Sequence, residues 1–432
     1  MHDVLDARDL VPDEAEQLLH SGFPAGRLLE ESRAAAAATD YERLDAIAGQ
    51  LRELPREAAW PYEEPDDIAT LFRLTSAVKE LGEPTAELPG RIHGAWLGRC
   101  AGNTMGKPVE GLTRTEVRLY LHAVDQWPQT GYLPLLDPLP AGVSHLHESA
   151  PFATRGHFTD VPRDDDLDWT VLGLWMLENY GADLTTEDVA RSWLDRLPFT
   201  QTFTAERAAY RNLIRGVPAA RAAGVDNPYR EWIGALIRAD IFGMTRPGRP
   251  GAAAQAALVD ARLSHVRNGI YGEMWAAALM SVALTTADAR VGLEVAAQVI
   301  PARSRLSATV NKVLALHRAG ATSDDALGWV DSDLGHYNWV HTVNNAALIS
   351  IGLLWGESFT DAVALAISGG RDTDSTAATV GGVYGALHGV QAIPATLIDP
   401  RRARLRSAVQ GFDRTLIAEL ADRTVSLVGV LS

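Results

Sequence analysis

Cysteine and long apolar runs are the two features that this chain of 432 residues most clearly lacks. Its single cysteine, Cys100, permits no intrachain disulfide and no multi-cysteine zinc site, so nothing in the sequence requires an oxidising compartment. The opening residues MHDVLDARDL carry acids where a signal peptide has basic residues before an apolar stretch, and no apolar run reaches bilayer-spanning length. We therefore expect a cytoplasmic protein without a membrane segment.

Basic runs are missing as well. The formal net charge is −16, and no stretch rich in lysine and arginine offsets it locally, so extended nucleic acid is a poor partner. A bound divalent cation would reverse the sign of a small region and admit an anionic small molecule. With 47% hydrophobic and 22% charged residues, the chain has the composition of a folded globular protein. The sequence leaves its oligomeric state open.

Segments that alternate polar and apolar residues, the pattern of a half-buried strand, are scarce. Alanine-rich stretches with helical periodicity recur instead, at residues 252–263, 273–284 and 361–367. The periodicity predicts an all-α fold.

A domain boundary is predicted near residue 88, after a loop rich in proline and glutamate. Residues 1–88 are predicted to form an N-terminal helical extension, and residues 89–432 a larger helical domain. Within the extension, Pro12 is predicted to open one helix, and a second is predicted over residues 40–54.

The run Asp164-Asp165-Asp166 opens a predicted helix that Gly181 closes. One or two acids at a helix start need only the ordinary explanation, because they cap free amides and interact favourably with the helix dipole. Three adjacent aspartates, followed by Asp168, exceed what a cap uses, and a divalent cation with oxygen ligands relieves their mutual repulsion. The run is a candidate metal site, with a capped surface helix as the simpler alternative.

A second acidic segment, residues 368–375, reads Ser-Gly-Gly-Arg-Asp-Thr-Asp-Ser. Its glycines give a flexible turn, and Asp372, Asp374 and Ser375 offer hard oxygen ligands. The helix that follows has several interior glycines, each of which costs about 0.5 to 1 kcal/mol relative to alanine. Such a helix is stable where another backbone packs closely against it. We therefore favour a metal or ligand site at the start of a buried, central helix.

A third element, residues 94–111, spaces glycines four apart, which allows a helix to pack closely until Pro108 ends it. Glu110 then lies in a loop. By itself this element indicates a packing helix followed by an exposed acid.

Together and in this order, the three elements resemble the ADP-ribosylglycohydrolase family over about residues 91–390. The family has a glycine-spaced helix ending in proline and glutamate, then Thr-Asp-Asp-Thr at a helix start, and last Gly-Gly-Asp-Thr-Asp-Thr. The matching residues are Gly98, Gly102, Gly106, Pro108, Glu110, Asp165, Asp166, Gly370, Asp372, Thr373, Asp374 and Ser375. Asp164, Leu167 and Arg371 depart from the pattern, as in a divergent, largely bacterial branch. The resemblance implies a compact multi-helix fold.

The resemblance also implies a hydrolase that cleaves the glycosidic bond at the anomeric carbon of a ribosyl group. The substrate would be an ADP-ribose conjugate on a protein or a small molecule, or a related riboside. Two Mg²⁺ ions, with Mn²⁺ as an alternative, would bind ribose hydroxyls and polarise water. Their implied ligands are Asp164, Asp165, Asp166, Asp372, Asp374 and Ser375. The implied catalytic groups, one of which would act as base, are Glu110, Asp165, Asp166 and Asp374.

Polar residues between the acidic segments resemble, in position, the family's substrate loop and its Thr-His element. The implied substrate contacts are Glu110, Arg238, Asp240, His265, Asn268, Tyr271, Gly370 and Arg371. For His265, a histidine satisfied within the core is an equally good interpretation. Whether the substrate is linked through arginine, serine or a small molecule stays open.

Two other functions fit parts of the pattern. An isoprenoid synthase is also an acidic helical protein with aspartate-rich metal motifs, but its aspartates lie within a helix at i and i+4, whereas these crowd helix starts. An inactive, metal-dependent ADP-ribose-binding module stays open because Leu167 and Arg371 alter two motifs. The retained carboxylates favour an enzyme.

Overall fold

The computed structural model describes residues 5–82 and 86–431. Part of the predicted boundary loop, residues 83–85, lies outside the described residues. The α-helices are α1 (Ala7–His20), α2 (Gly26–Ala38), α3 (Tyr41–Arg52), α4 (Ile68–Ser76), α5 (Leu88–Gly106), α6 (Arg114–Ala123), α7 (Ala150–Ala153), α8 (Asp165–Tyr180), α9 (Thr186–Arg196), α10 (Thr204–Ile214), α11 (Ala219–Ala222), α12 (Asp240–Met244), α13 (Pro250–Ala261), α14 (Asn268–Ala283), α15 (Ala289–Ala296), α16 (Arg305–Arg318), α17 (Ser323–Leu334), α18 (Thr342–Trp355), α19 (Phe359–Ser368), α20 (Thr373–His388) and α21 (Ile417–Leu427). Single 3₁₀ turns occur at Lys107–Val109, Gly181–Asp183, Phe199–Gln201, Leu236–Arg238, Ala297–Val299 and Val390–Ala392.

Strands are almost absent from the part of the chain that the structure describes. The short β1 (Arg404–Leu405) pairs antiparallel with β2 (Thr415–Leu416). The all-α prediction is therefore confirmed. The alanine-rich stretch 361–367 lies within α19, and the stretches 252–263 and 273–284 lie in α13 and α14 apart from two residues and one residue at their carboxyl ends. None of the described helices is both long and apolar enough to cross a membrane.

The first three helices form a small core of their own. Helix α1 begins at Ala7 rather than at Pro12, where the sequence predicted its start. Asp6 caps it by accepting the amide of Arg8 at 3.0 Å, and the buried face that α1 presents outweighs the one hydrogen bond that Pro12 lacks. The helix predicted over residues 40–54 is confirmed as α3.

The extension is joined to the larger domain through buried ion pairs. Glu64, in the segment after α3, contacts Arg305 of α16 at 2.9 Å, and neither side chain is more than 1% exposed. Arg305 also pairs with Glu231, which in turn accepts a hydrogen bond from Gln17 of α1 at 3.0 Å. The division of the chain near residue 88, where α5 begins, stays a prediction.

Helices α5 and α20 run antiparallel through the larger domain with their backbones in direct contact. A Cβ atom added to Gly98 would lie 2.0 Å from the carbonyl oxygen of Gly381, and one added to Gly102 would lie 2.0 Å from that of Ala377. Only glycine permits this approach. The close packing predicted for each helix is therefore present, and each is the partner of the other.

Candidate metal centre

The pairing of α5 with α20 brings two of the sequence motifs together. The last turn of α5 is fastened to the first turn of α20, because Thr373 Oγ1 donates a hydrogen bond to the carbonyl of Gly106 at 2.8 Å. Glu110 follows the 3₁₀ turn that extends α5, and Asp372 and Asp374 lie at the start of α20. One carboxylate oxygen from each of these three acids lies within 4.8 Å of the others.

The turn before α20 has a backbone shape that depends on Gly370. Gly370 has a φ of +66° and Arg371 a φ of +69°. A Cβ atom on Gly370 would lie 2.6 Å from the amide nitrogen of Arg114, so glycine is required there. The turn is bonded to the segment after Glu110, since the Arg371 amide donates to the carbonyl of Leu112 at 2.8 Å.

Arg371 itself does not face the acids. Its guanidinium donates to Asp331 Oδ1 at 2.9 Å and to the carbonyl of Gly369 at 2.9 Å. Ser375 does belong to the centre, because burial raises the pKa of Asp372 and a hydrogen bond from the Ser375 hydroxyl opposes part of that rise.

The other motif lies at the start of α8. Asp164 caps this helix, and its Oδ1 accepts the amide of Asp166 at 3.2 Å. One carboxylate oxygen from each of Asp164, Asp165 and Asp166 lies within 4.8 Å of the others. Asp168 points elsewhere: it pairs with Arg163 at 2.7 Å and accepts the hydroxyl of Ser407 at 2.6 Å. Asp164 is therefore a helix cap, and its role as a metal ligand stays a prediction.

Lys107 connects the two acidic groups. Its Nζ lies 2.8 Å from Glu110 Oε2, 2.7 Å from Asp164 Oδ2 and 2.7 Å from Asp374 Oδ2. Because two of these oxygens share one nitrogen, Asp164 Oδ2 and Asp374 Oδ2 are at most 5.4 Å apart, twice 2.7 Å. The start of α8 and the start of α20 therefore meet, which sequence alone did not show.

Three oxygens in this centre are buried without a hydrogen-bond donor among the described residues: Asp166 Oδ1, Asp374 Oδ1 and Glu110 Oε2. Glu110 Oε2 lies 2.8 Å from Lys107 Nζ as an ion pair, so the two oxygens that the ammonium does not contact are those of Asp166 and Asp374, residues that are 3% and 1% exposed. Buried carboxylate oxygens are normally paired, because leaving them unpaired costs free energy. A hard divalent cation such as Mg²⁺ takes oxygen ligands of this kind. The donor set therefore fits a metal site.

Burial and mutual repulsion act against the charged forms of these acids. Burial and the charge of Asp374 raise the pKa values of Asp166, Asp372 and Glu110 well above the ordinary range. Burial and the charge of Asp164 raise the pKa of Asp165 to about 8. A bound cation would lower these pKa values by stabilising the carboxylates.

The pKa of Asp164 is shifted in the opposite direction, and Lys107 is the main cause. Burial acts to raise the pKa of Asp164, but the ammonium of Lys107 and the hydrogen bond from Asp166 hold it well below its usual range. The pKa of Lys107 is raised well above its ordinary value, since the charges of Asp164, Asp374 and Glu110 outweigh its burial. Lys107 is therefore a fixed positive charge in the centre.

Arg99 holds the start of α8 against α5. Its guanidinium donates to the carbonyl of Asp166 at 2.7 Å and to Asp240 Oδ2 at 2.8 Å, and both side chains are fully buried. Asp240 therefore supports the centre through Arg99.

The other residues expected to contact substrate are held inside the core. Arg238 pairs with Asp260 at 2.6 Å and with Glu206. His265 Nδ1 lies 2.8 Å from the hydroxyl of its neighbour Ser264.

Asn268 and Tyr271 are also held by their neighbours. The Asn268 amide donates to Glu64 at 2.7 Å and to Glu231 at 2.9 Å, and the Tyr271 hydroxyl donates to the carbonyl of Pro65. None of these residues, nor Arg238 or His265, lines the cavity beside the acids. Their role as substrate contacts stays a prediction.

A cavity of about 540 Å³ opens beside the acids. Its lining includes Lys107, Asp164, Arg163, Arg406 and the ring of Phe152, which is 70% exposed. The cavity therefore combines carboxylates, two guanidinium groups and an aromatic surface.

Sequence reasoning did not single out Lys107 or His147 as site residues. His147 Nδ1 lies 3.3 Å from Glu110 Oε2, and burial and the charge of Lys107 lower its pKa. For Lys107 a signal was present, because it lies between the last glycine of α5 and the Pro-Val-Glu turn, three residues before Glu110. His147 lies in a loop that no pattern ties to the acids.

The aspartates of this all-α fold crowd helix starts that meet beside a polar cavity, unlike the mid-helix aspartates of a synthase, and the two acidic groups could hold a metal ion. The sequence profile of the ADP-ribosylglycohydrolase family matches residues 84–430, so the chain belongs to that family. No curated protein matches the sequence. A solved structure described as an "ADP-ribosylglycohydrolase-related protein complex" is similar at 18% identity and a TM-score of 0.47, covering 81% of this chain and 100% of that one.

Proposed function

We propose that this protein is a Mg²⁺- or Mn²⁺-dependent hydrolase that cleaves the bond at the anomeric carbon of an ADP-ribosyl group. The observation that carries the proposal is that Lys107 joins two groups of three acids by contacting Glu110, Asp164 and Asp374, and that Lys107 and Asp164 line the cavity. Family membership supports a glycosyl hydrolase. The resemblance of the sequence to the family implies two ions.

The buried acids are suited to hold a cation. Asp166, Asp372 and Asp374 are each at most 4% exposed, and Asp166 and Asp374 each keep one oxygen without a donor among the described residues. When bound, the cation would supply charge stabilisation at the ribose hydroxyls and at the attacking water. Asp164 caps α8 and, through Lys107, holds the two halves of the centre together.

The partly exposed acids are suited to move a proton. Glu110 and Asp165 are the members of the two acidic groups that are not fully buried. Water attack on the anomeric carbon of an oxocarbenium-like state requires a base within reach of solvent and substrate. We therefore assign the base to Asp165 or Glu110.

The rest of the cavity supports an anionic substrate with a flat ring. Arg163 and Arg406 present guanidinium groups that suit phosphate oxygens, although Asp168 and Asp413 share part of their charge. The exposed ring of Phe152 offers a surface on which a purine base can stack. These groups fit an ADP-ribosyl moiety better than an uncharged riboside.

Turnover of ADP-ribosylated substrates tests the proposal. Arginine-linked, serine-linked and small-molecule ADP-ribose conjugates are incubated with the protein and Mg²⁺, and free ADP-ribose is measured. We expect release to fall about 100-fold or more in Asp372→Ala and Asp374→Ala, and in the unmutated protein after chelation. The isosteric Asp374→Asn guards against loss of folding, and Asp195→Ala, an exposed change in α9, should leave turnover intact.

Binding of ADP-ribose without hydrolysis of any of the three conjugates would overturn the hydrolase assignment. That outcome would leave the chain as a binding module of the family.

A further inference from the structure

We propose that the ammonium of Lys107 takes the place of one divalent cation, so that the acidic centre binds a single Mg²⁺ or Mn²⁺ rather than two. This inference rests on the proposed function in taking the centre to be a metal site. It goes further by assigning the number of ions to a residue of this chain.

The position of Lys107 Nζ is the first observation. It contacts one oxygen from each of three acids on three different segments, at 2.7 to 2.8 Å. A second divalent cation that bridged Asp164 and Asp374 would have to lie in the space that this ammonium fills. The repulsion between a single and a double positive charge at such distances is strong in a buried site. Lysine and a bridging cation are therefore alternatives there.

The second observation is that Lys107 cannot easily move away. It follows Gly106, whose own Cβ position would lie 2.2 Å from the carbonyl oxygen of Thr373, so the backbone beneath Lys107 is pressed against α20. The residue is 8% exposed, and Pro108 fixes the backbone on its other side. Rotating the ammonium out to solvent would leave three carboxylates without it.

The third observation concerns the buried carboxylate oxygens that Lys107 does not contact. Asp166 Oδ1 and Asp374 Oδ1 have no hydrogen-bond donor among the described residues, and neither is an oxygen that Lys107 contacts. Both oxygens are therefore buried without the positive charge or donor that would offset the free-energy cost of their burial. A single cation held by Asp374, with Asp372 and Ser375 beside it, would supply positive charge there, and Asp166 lies near enough for the charge of Asp374 to raise its pKa.

Counting bound Mn²⁺ in the absence of substrate tests the inference. Mn²⁺ is titrated into the full chain, with free Mn²⁺ followed by electron paramagnetic resonance and the ratio checked by native mass spectrometry. We expect one Mn²⁺ per chain for the unmutated protein and for Lys107→Arg, which keeps the charge. We expect two for Lys107→Met, which keeps the length but removes the charge. The matched control Lys312→Met, on the exposed face of α16, should bind one.

Two Mn²⁺ ions in the unmutated protein, or none, would overturn the inference. The unmutated protein and Lys107→Arg answer the question even if Lys107→Met does not fold. Hydrolysis of the ADP-ribosyl conjugates is a separate readout: two ions with turnover would sink this inference and leave the proposed function standing. One bound ion without turnover would support this inference and contradict the proposed function.

Discussion

Gly98 and Gly381 pack against each other's backbone: a Cβ added to Gly98 would lie 2.0 Å from the carbonyl oxygen of Gly381, and one added to Gly381 would lie 2.2 Å from that of Gly98. This reciprocal contact fixes how closely α5 approaches α20. The carboxylates of the centre are attached to the ends of these two helices, so their separation is set by the glycines. Stability and metal binding are therefore coupled at this contact.

Gly98→Ala should destabilise the protein and weaken cation binding together. The methyl group meets backbone rather than a flexible side chain, so overpacking of about 1 to 3 kcal/mol or more is expected. The check is denaturant unfolding combined with Mn²⁺ titration. Gly49→Ala in α3 is the matched control, because nothing lies within 4 Å of the added Cβ, and it should stabilise the protein by up to about 1 kcal/mol. Equal stability of the two variants would contradict the role given to the contact.

Removal of Arg99 should cost more free energy than removal of Arg99 and its partner together. Arg99→Met leaves the carboxylate of Asp240 buried and unpaired, at a cost of about 3 to 5 kcal/mol in the free energy of unfolding. In the double variant Arg99→Met with Asp240→Leu, no buried charge is left, and part of that loss should return. A double-mutant cycle by chemical denaturation measures the difference. Strictly additive effects would show that the pair is not coupled.

Cation affinity should rise with pH up to at least about pH 8. Burial and the charge of Asp164 raise the pKa of Asp165 to about 8, so below that pH a bound cation must displace a proton. Each proton displaced weakens apparent binding by up to about tenfold for each unit by which pH falls below the pKa. Calorimetric titration of Mn²⁺ in buffers with different ionisation enthalpies measures both affinity and proton release. Asp165→Asn should reduce the slope; an affinity that does not change between about pH 6 and 8 in the unmutated protein would refute the prediction.

The helical class and the acidic segments could be predicted from the sequence, but not which residues these segments meet in the fold. Glycine spacing in α5 and α20 predicted that each packs closely on some backbone, and it did not indicate that the two pack on each other. Lys107 lies three residues before Glu110, which is a local signal, but its contacts with Asp164 and Asp374, far from it in the chain, could not be predicted from the sequence. The partners of other buried charged residues are also distant in the chain and could not be predicted from local sequence.

Arg238 illustrates why some buried polar residues were predicted from the sequence to contact substrate. A polar residue in an apolar stretch indicates either a ligand contact or a buried ion pair, and only coordinates distinguish the two. In the structure, its guanidinium forms ion pairs with Asp260 and Glu206. Its expected contact with substrate stays a prediction without support from the cavity lining.

Two adjacent glutamates provide a sharp test of how the N-terminal extension is attached. Glu63 pairs with Arg303 at the surface, where both side chains are more than 60% exposed, whereas Glu64 pairs with Arg305 where neither is more than 1% exposed. Glu63→Gln should change the free energy of unfolding by less than about 1 kcal/mol, because solvent screens the exposed pair. Glu64→Gln should cost about 3 to 5 kcal/mol, because it unbalances a buried cluster that also contains Glu231. Chemical denaturation of both variants gives the comparison, and limited proteolysis shows whether the extension is released first. If the two variants unfold at the same denaturant concentration, the extension is not held by this junction.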